Sequence, residues 1–180
     1  MAVGRDLVIE PEHPEDADAI RDVVRRAFQD QQSVAELVEL IRASAQYVPE
    51  LALVARIGSG VVGFIMISHA EVVEASGRCH DVLTLSPLAV APDRQRRGIG
   101  SALVRAALVA ADATGAGIVT LEGSPTYYRR LGFRFAPDFD IMIDLPGWAP
   151  AEAAQVFALQ SYDPTVRGTL RYPPAFAAID

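Results

Sequence analysis

The stretch Val90-Ala91-Pro92-Asp93-Arg94-Gln95-Arg96-Arg97-Gly98-Ile99-Gly100-Ser101-Ala102-Leu103 sets two closely spaced glycines between an apolar run and an amphipathic helix. That order builds an anion site. Glycine lacks a Cβ, so backbone there can approach a ligand closely, and the first free N–H groups of the helix, helped by its dipole, can hold phosphate oxygens. Arg94, Arg96 and Arg97 gather positive charge at this turn in a chain whose formal net charge is −7. Local and global charge therefore point in opposite directions. Two common nucleotide loops are excluded: there is no Gly-Lys-Ser/Thr after four spacers, and no third glycine completes a dinucleotide fingerprint.

Outward from this loop the chain reads as alternating strands and helices. Upstream, a first strand at Leu7-Val8-Ile9 precedes a helix carrying Ala19, Ile20, Val23, Val24, Ala27 and Phe28. A second helix, with Ser33 as its expected cap, carries Val34, Leu37, Val38 and Ile41 and is expected to end near Ala45. Leu51–Ile57 and Val61–Ser68 are β-rich runs joined by Gly58-Ser59-Gly60, which predicts an antiparallel hairpin. After an irregular stretch from Glu71 to Arg78, Val82–Leu85 and Leu88–Val90 form a fourth strand interrupted at Pro87. Proline removes a ladder donor, so this strand is expected to bulge or splay.

Downstream, a helix with Ile99, Leu103, Ala106, Ala110 and Ala113 on one face runs to Gly115, and Ile118–Leu121 makes a fifth strand. A short helix over Pro125–Leu131 follows, capped by Ser124. Phe133-Arg134-Phe135 and Ile141–Leu145 supply further strand material. The expectation is one α/β domain over 1–180, a mixed sheet flanked by helices, with a core of about 5–145 and a strand-containing extension over 146–180.

Composition narrows the function. A chain of 180 residues with 51% apolar content can bury one sizeable core. No run reaches the ~18 apolar residues of a membrane span, and Met1–Asp6 lacks a signal peptide's order, so a cytoplasmic, unanchored protein is expected. Cys79 is the only cysteine, which excludes intrachain disulfides and multi-cysteine zinc sites. The net acidity argues against sequence-independent nucleic-acid binding and suits a cationic or amine partner. Cys79-His80-Asp81 is set aside as a triad because neighbours on an extended chain alternate faces. No metal is expected. Trp148 is expected to pack over a core edge or an interface.

Gln95-Arg96-Arg97-Gly98-Ile99-Gly100 resembles the acyl-CoA motif, Gln/Arg-x-x-Gly-x-Gly/Ala, of the GNAT N-acetyltransferase superfamily. Gly123-Ser124-Pro125-Thr126-Tyr127-Tyr128-Arg129-Arg130-Leu131-Gly132-Phe133 resembles its second signature, a tyrosine four residues before Gly-Phe. The shortened Gly-Ser-Pro form and the ending Gly168–Phe176 are similar to a bacterial subgroup of predicted acetyltransferases, so the likeness covers nearly the whole chain. The asparagine often found before that tyrosine in the wider family is absent here.

The resemblance implies the GNAT fold with a splayed fourth strand, acetyl-CoA as co-substrate, and direct attack in a ternary complex by a primary amine, whether of a small molecule (a polyamine-like metabolite, an amino acid or an antibiotic) or of a protein N-terminus or lysine. It implies that the loop amides of Gln95, Arg96, Arg97, Gly98, Ile99, Gly100 and Ser101 hold the pyrophosphate while Leu88, Ala89 and Val90 pair with pantetheine. Tyr128 takes the general-acid position, since a phenol can protonate a leaving thiolate; Tyr127 is the weaker candidate. Glu122 is the candidate base, with His80 and Asp81 behind it. The first two helices and their connecting turn near Asp30–Ser33 should border the acceptor pocket. A second copy of the chain could pair through the C-terminal segment. The rival readings are a CoA-binding sensor without turnover, and an acyltransferase using another donor.

Overall fold

A computed structural model describes residues 6–29 and 31–178. Strands β1 (Leu7–Pro11), β2 (Ala52–Ile57), β3 (Gly60–Val73) and β4 (Cys79–Val90) form an antiparallel meander. β5 (Ile118–Glu122) then adds parallel to β4, and β8 (Ala154–Ala158) adds antiparallel to β5, with β6 (Arg134–Phe135) beyond it. β9 (Gly168–Arg171) pairs with the far end of β3, and β7 (Ile141–Met142) pairs with β9. A mixed sheet with helices packed against it is the expected fold class.

Alternation along the strands decides which helix covers which face. Leu53, Ile65, Ile67, Leu83, Leu85, Val119 and Leu121 face α3 (Ile99–Ala113), which buries Leu103, Val104, Ala107, Leu108 and Ala111 against them. The opposite face presents Val54, Phe64, Met66 and Ala89 to α1 (Ala17–Ala27) and α2 (Gln32–Arg42). A third apolar cluster around Val72, Val82, Ile118, Val156 and Leu170 joins the C-terminal strands to the main sheet.

The structure corrects several local expectations. α2 begins at Gln32 after Gln31 and ends at Arg42, so Ser33 lies inside the helix and caps nothing. The buried face of α3 turns toward Val104, Ala107 and Ala111, leaving Ala106 and Ala110 partly covered. β3 runs on to Val73 and β4 starts at Cys79, because Val73↔Cys79 through Ala70↔Val82 pair across the stretch read as irregular. Residues 146–180, expected to contain strand, contribute β8 and β9, and β8 enters the main sheet beside β5. Trp148 is 85% exposed and covers no core edge.

Two features of β4 position the site. Between Ile65↔Leu88 and Ile67↔Leu85 the register shifts, so Ser86 and Pro87 together stand opposite Met66. This is a bulge, which bends the strand locally. The parallel ladder to β5 consists of Leu83↔Val119 and Thr84↔Thr120 alone. β4 continues to Val90 while β5 ends at Glu122, so the two neighbours diverge. The β5-facing edge of β4 past Thr84 therefore has backbone groups without a ladder partner.

Candidate acyl-CoA cleft

Gly98 adopts φ 84° immediately before α3, a left-handed conformation that costs glycine little and other residues more. It turns the chain so that the first free amides of α3 face a cleft of about 630 Å³. Leu88 and Val90 form the strand side of that cleft, with Ile99, Gly100 and Ser101 on the helix side. Arg94, Arg96, Arg105 and Arg130 also line it. Arg94 is paired with Asp93 at 3.2 Å, whereas Arg96 and Arg105 have no acidic partner among the described residues. A helix N-terminus with cations lacking acids nearby suits a polyanion.

Several loop residues have separate tasks. Gln95 points its side chain back, with Nε2 donating to the Val90 carbonyl at 3.0 Å, and so ties the loop to the end of β4. The Arg97 side chain is exposed outside the lining, and Ala89 faces α1 and α2, buried to 1%. Their role at the cleft could only be through backbone.

α4 (Pro125–Arg129) closes the far wall. Ser124 caps it as expected, its hydroxyl accepting from the Tyr127 amide at 3.3 Å. Tyr127, the neighbour that the sequence reading ranks second, lines the cleft. Its hydroxyl accepts a hydrogen bond from Ser101 Oγ at 3.4 Å and would lie 2.8 Å from a Cβ placed on Gly100. Tyr128 turns the other way. Its ring packs edge-on against Phe133, with centroids 5.5 Å apart, and Gly123 makes room for it, since a Cβ there would lie 2.5 Å from Tyr128 Cε2.

Burial, with the Tyr127 phenol adding to it, pushes the Tyr128 pKa well above the ordinary phenol value. In water, proton transfer from a phenol near 10 to a thiolate near 8.5 is uphill by roughly 1.5 units, about 2 kcal/mol. Burial of the phenol widens the gap unless the thiolate is desolvated too, because the same loss of solvent raises both values. Tyr128 sits beside Leu121 and Gly123 at the end of β5, where β4 and β5 part.

Glu122 is exposed and accepts a hydrogen bond from the Tyr172 hydroxyl, a contact across the sequence that no local pattern announces. His80 Nε2 lies 2.6 Å from Glu74 Oε1, and Asp81 pairs in register with Glu71. Neither of them lines the cleft. Asp30 lies outside the described residues.

Known proteins carry the same architecture. An acetyltransferase (GNAT) domain model matches residues 49–135, the span from just before β2 through β6. Over 120 residues the chain is 35% identical to the uncharacterized N-acetyltransferase YjhQ of Escherichia coli, covering 66% of this chain and 64% of that one. The chain thus spans a little under two thirds of that relative's length. Among solved structures, the GNAT family N-acetyltransferase YhbS of Escherichia coli in complex with CoA has a TM-score of 0.84 at 28% identity, over 98% of this chain and 95% of that one. A GNAT family acetyltransferase of Brucella melitensis in complex with acetyl-CoA has a TM-score of 0.75 at 29% identity, over 96% of this chain and 99% of that one. No described helix is long and apolar enough to cross a membrane. With the strand divergence, the glycine-opened helix terminus and these likenesses together, the chain belongs to the GNAT acetyltransferase family.

Proposed function

We propose that this chain transfers the acetyl group of acetyl-CoA to a primary amine by direct attack in a ternary complex. One observation carries the reading: the cationic cleft at the start of α3 is continuous along Leu88 and Val90 with the place where β4 and β5 separate. The likeness to proteins crystallised with CoA and acetyl-CoA supports the same donor.

The site residues fit such a donor by charge and shape. The amides of Gly98, Gly100 and Ser101 face the cleft to receive phosphate oxygens, and Arg96 and Arg105 supply compensating charge. The β5-facing edge of β4 at Leu88, Ala89 and Val90, where Gln95 Nε2 already takes the Val90 carbonyl, can hydrogen-bond the amide-bearing pantetheine arm and orient a thioester carbonyl at an N–H donor. The co-substrate supplies the activated acyl carbon. Tyr128, beside Leu121 and Gly123 where β4 and β5 part, is the general acid in this reading, and its raised pKa favours the protonated phenol that such an acid needs. Glu122, at the last residue of β5, is positioned to take a proton from the incoming amine directly or through water.

The whole chain, 1–180, acts as one catalytic domain in this reading, in a cytoplasmic setting that suits its single cysteine. The test is release of CoA thiol from acetyl-CoA on addition of amines, with Cys79 replaced by Ser to remove the chain's own exposed thiol. Amine-dependent release supports the enzyme. Acetyl-CoA binding with no release for any amine would instead leave a sensor, and release with longer acyl donors only would move the reading to another acyltransferase.

A further inference from the structure

On the opposite side of the β4 bulge from the acyl-CoA cleft lies a second, open cavity of about 680 Å³. Thr84 and Ser86 of β4, Glu122 at the end of β5, and Asp144, Tyr172 and Phe176 of the C-terminal portion line it. Leu88 and Val90 belong to one cavity and Thr84 and Ser86 to the other, so a single strand runs from the donor site into this space. A thioester laid along β4 toward the bulge arrives at its mouth.

The lining has a definite chemistry. It holds two carboxylates and no Lys, Arg or His, and neither Glu122 nor Asp144 makes an ion pair with a described residue. The Tyr172 hydroxyl donates to Glu122, and burial together with the charges of Glu122 and Asp144 pushes its pKa up. Tyr172 and Phe176 stack with centroids 4.9 Å apart at 23°, giving the cavity an aromatic surface. Carboxylates beside aromatic faces attract compact cations and repel carboxylate-bearing ligands.

Behind Thr84, outside the lining itself, the sheet buries a further hydroxyl. Ser68 stands opposite Thr84 in the β3–β4 ladder and shares its face. Thr84 and Thr120 hydroxyls are satisfied, by the Thr120 carbonyl at 3.5 Å and the Leu83 carbonyl at 3.1 Å, but Ser68 Oγ is fully buried without a hydrogen-bond partner among the described residues. Buried hydroxyls without partners are uncommon.

Resting on the acetyltransferase reading above, we propose that this cavity is the acceptor site and that it takes a primary amine bearing a second positive charge, an aliphatic diamine. Glu122, nearer the divergence of the strands, serves the reacting nitrogen, and Asp144 holds the distal ammonium. The nitrogen bonds to the acetyl carbon as the carbon–sulfur bond breaks. The ammonium gives up two protons in all; one is balanced on the CoA thiol by way of Tyr128 and the other passes to solvent through Glu122. α1, α2 and the turn between them, expected to border the acceptor, contribute no described residue to this cavity.

The experiment compares diaminobutane with n-butylamine, which has the same chain and one charge fewer, on the full chain and on Asp144→Asn, by thiol release and by calorimetric titration in the presence of CoA. Acetyl-CoA binding is measured separately on both proteins. The expected result is a KM for diaminobutane about 10-fold or more below that for butylamine, and loss of this preference in Asp144→Asn through a rise in the diaminobutane KM. Equal KM values for the two amines, or an Asp144→Asn effect that is the same for both, would overturn the diamine assignment while the acetyltransferase stands. Failure to bind acetyl-CoA would remove the underlying reading and this inference with it.

Discussion

Ser101 Oγ lies 3.4 Å from the Tyr127 hydroxyl, joining the first turn of α3 to α4 across one wall of the donor cleft. Tyr128, the next residue, shares that helix but not that wall, its ring set at 86° to Tyr127. Successive helical residues point about 100° apart, so one tyrosine serves the cleft and the other serves the strand junction.

This division predicts opposite kinetic signatures. Tyr128→Phe keeps the packing against Phe133 and should lower kcat on the order of 100-fold, with the acetyl-CoA KM nearly unchanged. Tyr127→Phe should weaken acetyl-CoA binding a few-fold with little effect on the chemical step. Steady-state kinetics on both variants checks the assignment, and unaltered turnover in Tyr128→Phe removes it from the mechanism.

The raised pKa of Tyr128 fixes the shape of the pH profile. Because the phenol keeps its proton beyond its ordinary value of about 10, kcat should rise as the amine and its base deprotonate and should show no fall attributable to the acid up to about pH 10. A descending limb between pH 8 and 10 that disappears in Tyr128→Phe would mean that the phenol titrates in that range.

Gly100 offers a steric test of the same wall. A Cβ at this position would lie 2.8 Å from the Tyr127 hydroxyl, so Gly100→Ala must displace the ring end. The expected outcome is weaker acetyl-CoA binding, by about 10-fold or more, with a thermal midpoint within a few degrees of the parent protein. Calorimetry and thermal unfolding together separate a blocked site from a damaged fold.

Away from the site, Arg56 links Asp16 and Glu10 at 2.6 Å each and so fastens β2 to β1 and to the start of α1. The Arg56 hydrogen bond is the largest influence holding the Asp16 carboxyl below its ordinary value. A depressed folded-state pKa gives stability that is present above the unfolded pKa of about 3.9 and is lost as pH falls through the folded value. Asp16→Asn should therefore cost about 1–3 kcal/mol at neutral pH, and the difference from the parent should shrink below about pH 4 in denaturant titrations.

The local elements were largely legible because periodicity and glycine placement are local properties. The two-glycine loop, the arginines around it, the β2–β3 hairpin and the interruption at Pro87 could each be read from adjacent residues. What escaped depends on distant partners. β9 exists because Leu170 and Arg171 meet Val72 and Glu71 about a hundred positions earlier, and β3 lengthens past Ser68 because β4 and β9 flank it. The contact of Glu122 with Tyr172 is equally nonlocal, and it changes the surroundings of the residue named as a base. Which of two neighbouring tyrosines faces the cleft depends on how α4 sits on β5, and the motif alone carries no such orientation.

Titration of the purified protein with acetyl-CoA in a calorimeter, beside a Gly98→Glu variant whose folding is checked by thermal unfolding, tests the central claim most directly. The account predicts saturable binding to the parent protein and its loss in a variant that remains folded, since a carboxylate would then stand at the phosphate end of the cleft. Absence of binding to the parent, or equal binding by the folded variant, would contradict it.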